Sequence, residues 1–81
     1  MKLNFSYDKI NDVLYANIGK PKSALSEEVG GGIAIKIDIK TRKPIGFIII
    51  DYMKRVNKRI LKPIPNFKDI KLPQYSNKQS N

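Results

Sequence analysis

The chain has 81 residues and a mass of 9.3 kDa, and 16 Lys and Arg against 7 Asp and Glu give it a net charge of +9 and a pI near 9.9. With no Cys and no His it can build neither a disulfide framework nor a Cys/His zinc site, and it has neither an imidazole base nor a thiolate nucleophile. The length allows one small domain, with stability near the low end of about 5 to 15 kcal/mol, and without a run of about 18 apolar residues or a signal-peptide core it is expected to be cytoplasmic and clear of membranes.

Leu3, Phe5 and Tyr7 alternate with Asn4, Ser6 and Asp8, the period of a half-buried strand. Lys9 to Asp12 reads as a turn. Val13 to Ile18 is rich in β-formers, with Leu14, Ala16 and Ile18 on one face and Val13, Tyr15 and Asn17 on the other. Gly19-Lys20-Pro21 stops it, because Pro cannot donate to a ladder and Gly tolerates turn dihedrals. Ala24 to Val29 fits a short strand, and Gly30 to Gly32 separate it from Ile33, Ile35, Ile37 and Ile39, the clearest alternation in the chain. After a polar loop, Pro44 to Ile50 is apolar throughout, the pattern of a strand covered on both faces. The short loops imply antiparallel pairing.

After Ile50 the apolar period changes from two to about 3.6. Asp51 is placed to cap a helix that Pro63 limits to about residues 52–62. On that helix Lys54, Arg55, Lys58, Arg59 and Lys62 cover an arc of about 140°, opposite Met53, Val56 and Ile60. Pro63 and Pro65 then enforce an extended path that Phe67, Ile70 and Leu72 can dock on the sheet. The expected fold is therefore α+β, a small antiparallel β-meander sheet followed by one short amphipathic C-terminal helix and an extended tail. It forms one domain over residues 1–73, with the sheet over 2–50, the docked segment over 63–73 and a flexible polar tail over 74–81.

Tyr7-Asp8, Asp12 with Leu14-Tyr15, Glu27-Glu28-Val29, Gly32, Asp38 and Ile45-Gly46-Phe47 occur in this order between Tyr7 and Arg55. That stretch resembles a family of very small prokaryotic proteins catalogued as domain of unknown function 2283. The resemblance implies a small antiparallel sheet with little helix, no cofactor, and pairing with small toxin-like ribonucleases. Many members carry an acid where this chain has Ile48 or Ile49, and the departure leaves no acid in that strand.

Charge is unevenly distributed. Up to Met53 eight basic residues face six acidic ones, a balance of +2, whereas from Lys54 onward eight basic residues face Asp69 alone, a balance of +7. The five cations from Lys54 to Lys62 have no acid to pair with at i+4, which disfavours a helix unless an anion compensates. Phosphate backbone is such an anion, and five contacts to B-DNA would give a salt slope of about −4.5, a loss of about 500-fold between 50 and 200 mM. Tyr52 and Phe67, flanking the patch, are candidates to stack single-stranded bases or to pack on the sheet.

The remaining chemistry is sparse. Asp8, Asn11 and Asp12 in the first turn read either as carboxylates for a metal or for acid/base work, or as local acceptors for turn amides. Glu27 and Glu28 are adjacent and cannot both line one site from a regular strand. The three glycines precede a strand, not a helix, and so suit a turn or bulge better than a phosphate loop. No cofactor and no catalytic constellation is expected; an enzyme would need Asp8, Asp12 and Asp38 to converge on a metal. The expected function is non-enzymatic binding, to nucleic acid through Lys54, Arg55, Lys58, Arg59 and Lys62. The alternative is an antitoxin-like protein-interaction module for an acidic or strand-presenting protein partner. Open strand edges and a small core also favour a homodimer.

Overall fold

The structure is a computed structural model that describes residues 2–20 and 23–75. Five strands, β1 (Leu3–Asp8), β2 (Val13–Ile18), β3 (Ala24–Gly30), β4 (Ile33–Asp38) and β5 (Pro44–Ile50), are followed by one short helix, α1 (Tyr52–Asn57). All pairings are antiparallel and form a single sheet in the order β1-β2-β5-β4-β3. The expected antiparallel sheet and single short helix are present.

The strand order corrects the expected meander: β2 pairs with β5 and not with β3, so β5 inserts between β2 and β4, and β3 is pushed to the edge. Side-chain burial explains this. A central strand is flanked on both sides, which suits Phe47 to Ile50, whereas Ser26, Glu27 and Glu28 are tolerated only where water reaches them.

Opposed residues in the ladders define two faces. The inner face carries Leu14 and Ala16 of β2, Phe47 and Ile49 of β5, and Ile33 and Ile35 of β4, all buried. It is covered by Tyr52 and Met53 of α1 and by Ile64 and Phe67 of the irregular segment that follows. Phe67 packs against Phe47 with ring centres 5.1 Å apart, and Ile70 and Leu72 extend the contact. The outer face carries Val13 and Tyr15, Ile48 and Ile50, and Ala34, opposed across β2, β5 and β4. Nothing among the described residues forms a layer over it, and Ile50 is 49% exposed. This corrects the expectation that β5 is covered on both faces: its apolar run fills one core and leaves Ile50 bare.

The helix is shorter than its expected span of residues 52–62. Lys58 ends it, Arg59 adopts a left-handed φ of 58°, and the amides of Arg59 and Ile60 donate to the carbonyls of Val56 and Arg55. This 6→1 and 5→2 pair is a Schellman stop, and it leaves Ile60 54% exposed instead of on the buried side. The like-charge run that follows Asn57 has no acid to support another turn.

Tyr75, placed by sequence in a flexible tail, stacks on Tyr7 with ring centres 4.3 Å apart and planes at 11°. Residues 76–81, the remainder of that expected tail, lie outside the described residues. Among the described residues no helix is long and apolar enough to cross a membrane.

Candidate functional site

The five cations proposed from sequence do not form one stripe. Lys54 and Arg55 are on α1, Lys58 caps it, and Arg59 and Lys62 lie beyond the stop. Arg55 Nε donates to the Ile50 carbonyl at 2.9 Å and its guanidinium lies over Gly32. The Lys62 stem lies against Gly31. Arg59 turns elsewhere and lines a shallow hollow with Val56, Leu61, Ile70 and Leu72. Lys54, Lys58, Arg59 and Lys62 are exposed, so the charge is available to a ligand, but as a fan around one end of the molecule.

Tyr52 and Phe67 are not stacking platforms. They are 1% and 5% exposed; Tyr52 packs edge-on to Tyr7 and Tyr75 and donates its hydroxyl to the Pro73 carbonyl. Burial, and secondarily Tyr75, pushes the Tyr52 phenol up to about 12. Their hydrophobic area is worth more in the core than on the surface, which overrides a basic neighbourhood in sequence.

Asp8, Asp12 and Asp38 make separate, local sets of hydrogen bonds. Asp8 accepts from the Asn11 amide at 3.1 Å and from the Asn11 side chain at 2.8 Å, and these bonds hold its carboxyl below the usual range. Asp12 does something that sequence spacing does not reveal: it caps α1 from 41 residues away. Its Oδ1 accepts from the Met53 amide at 2.8 Å and its Oδ2 from the Lys54 amide at 3.1 Å. Its own carbonyl accepts from the Tyr52 amide at 2.9 Å, and the Tyr7 hydroxyl donates to Oδ1 at 2.7 Å. Burial opposes ionisation of Asp12, but the Tyr7 and amide hydrogen bonds outweigh it and the carboxyl is held low. The same burial and carboxylate push the Tyr7 phenol up to about 12. Asp51, the expected cap, holds the N-cap position in a left-handed conformation with no side-chain bond to the helix.

Asp38 is at the opposite end of the sheet, where its carboxylate accepts from the Lys40 amide and the Thr41 hydroxyl and shapes the β4–β5 turn. Asp8, Asp12 and Asp38 therefore do not converge, and among the described residues no group of three His, Cys, Asp or Glu is placed to hold a metal. The glycines make the β3–β4 turn, with Gly31 and Gly32 both at positive φ, the signature of a type I′ hairpin.

What sequence patterning missed is the outer face. Ile48, Ile50 and Ala34 floor an open groove of about 280 Å³, with Arg55 at one rim and Glu28 at the other. Tyr15 and Val13 continue the apolar surface across β2. The signal was present in the unbroken run Phe47 to Ile50, whose pattern asks for two covered faces where the described residues supply cover for one. No protein family, curated protein or solved structure matches this chain.

Proposed function

We propose that this is a small non-enzymatic binding protein that receives a protein partner on the uncovered side of its sheet. One observation carries the reading: on the outward side of the sheet Ile50 and Tyr15 are exposed and Ile48 and Val13 half-buried, and among the described residues no layer lies over them. An apolar surface in the middle of a sheet, rimmed by Glu28 and Arg55, is an interface pattern and not ordinary surface scatter. Apolar burial there would supplement a core that is small for an independent domain. A second copy of the chain is one candidate occupant and a different protein the other; pairing with a toxin-like ribonuclease, which the family resemblance implies, belongs to the second.

The test is affinity purification of the wild-type chain beside a Tyr15→Lys/Ile50→Lys variant, with sedimentation velocity on both. Both side chains are exposed, so the variant is expected to fold. The wild type should carry a stoichiometric second protein or a second copy, and the variant should lose at least about tenfold of that association. Equal association by the variant would overturn the proposal.

A second reading rests on the exposed cations Lys54, Lys58, Arg59 and Lys62. Four phosphate contacts would give a salt slope of about −3.6, so affinity for duplex DNA should fall about 150-fold between 50 and 200 mM. With Tyr52 and Phe67 buried, single strands should gain nothing from base stacking. Anisotropy titrations with a variant carrying Gln at the four positions check this: a slope that the variant does not flatten would remove these residues from the contact.

A further inference from the structure

The sheet has two edges, and they differ. Tyr7 of β1 is stacked by Tyr75, and Lys2, Leu3 and Phe5 line a hollow with Asp69, Ile70 and Lys71 of the returning segment. Among the described residues strand β3 has no such cover: it is the terminal strand, and every residue from Leu25 to Gly30 is exposed, Leu25 at 55%. It carries neither Pro nor Lys, the usual devices that stop an edge from accepting another strand. Its outward backbone N–H and C=O groups are a template for strand addition, in which main-chain bonds give affinity and alternate side chains give specificity.

The side chains of β3 state which strand would fit. Glu27 stands opposite Ile35 and Glu28 opposite Ala34, so the two carboxylates project to opposite faces with an apolar neighbour each. Lys36 is the single cation in the five strands, and its Nζ donates to Asn17 Oδ1 at 2.7 Å, away from both glutamates. Among the described residues neither glutamate carboxylate has a hydrogen bond or ion pair. A strand laid along β3 would place two consecutive residues opposite Glu27 and Glu28 and an apolar residue opposite Leu25. Two adjacent basic residues satisfy both carboxylates, one on each face. Among the described residues no strand contains such a pair, and a second β3 would bring glutamates together, so the occupant is another protein.

Resting on the protein-binding reading above, we propose that the β3 edge takes an extended segment of a partner protein bearing two consecutive Lys or Arg residues flanked by apolar ones. The probe is the acetylated, amidated peptide Thr-Val-Lys-Lys-Thr-Val-Thr, titrated into the ¹⁵N-labelled full chain. Two controls accompany it, the same peptide with Glu-Glu in place of Lys-Lys and a version with alternate backbone amides N-methylated. Saturable amide shifts concentrated on residues 24–30 are expected, absent with the N-methylated peptide. A Glu27→Lys/Glu28→Lys variant should bind the basic peptide about tenfold more weakly and prefer the Glu-Glu peptide. No shifts at β3, shifts that survive N-methylation, or indifference to the charge reversal would each overturn the proposal. Should β3 be silent while the Tyr15→Lys/Ile50→Lys variant still loses its partner, the edge is wrong and the protein-binding reading stands.

Discussion

Replacing Asp12 with Ala is expected to lower stability by about 3 kcal/mol, and for a domain of this size the midpoint of thermal unfolding by about 15 °C. The carboxylate accepts from two helix amides and the Tyr7 hydroxyl, and Met53 is 5% exposed, so its amide has little access to water in compensation. Asp12 also has a φ of 57°, which Ala adopts at a cost of about 1 kcal/mol and Asn more readily. Asp12→Asn should therefore lose only about 1.5 kcal/mol at pH 7, retaining one acceptor and the backbone.

The two proteins should converge in acid. Because the Asp12 carboxyl is held below its usual value, its stabilisation is complete above the unfolded value of about 4 and disappears as pH falls through the folded one. Urea unfolding of wild type and Asp12→Asn from pH 7 to pH 3 checks this. A gap that persists at the lowest pH would show that the charge is not what the helix uses. Asp8, also held low, titrates in the same window but is common to both proteins and cancels in the difference.

Gly46→Ala is expected to be comparably damaging, about 3 kcal/mol, although the position looks like an ordinary glycine in an apolar strand. A methyl group on Gly46 would run into the Ala16 carbonyl of β2, with Asn17 Cα also close. The obstruction is backbone in the middle of the sheet, so it cannot be relieved by a rotamer change. Gly46 stands between Asn17 and Lys36 in the ladder, and its missing side chain leaves the gap over which Lys36 reaches Asn17. The irregularity between Lys36 and Ile37 adjoins it. Chemical denaturation of the purified variant measures the loss, and a loss below about 1 kcal/mol would mean that β2 and β5 can separate freely.

Much of the fold was legible from period alone. The alternation at Leu3, Phe5 and Tyr7, and again at Ile33, Ile35 and Ile37, repeats every second residue and assigns both the strand and its buried face. The candidate site was far less legible. The basic run predicted a helix through Lys62, but a left-handed Arg59 ends it earlier, because backbone geometry at a helix stop is chosen by the packing of the chain beyond it. Tyr52 and Phe67 were equally suited by composition to a surface or a core, and contact with Tyr7 and Phe47 decided for the core.

By itself, the sequence determined the strands, their antiparallel sense, the excess of cations after Met53 and the absence of thiol and imidazole chemistry. These follow from local periodicity, loop length and composition, which need no partner in space. Tertiary structure alone decided that β5 lies at the centre and β3 at the edge, that Asp12 caps a helix 41 residues later, and that Ile48 and Ile50 face outward. Each of these depends on which of several apolar surfaces wins the single inner layer this short chain can supply. The surface that loses is the outer face with its acidic edge, and it is there that we propose a partner docks.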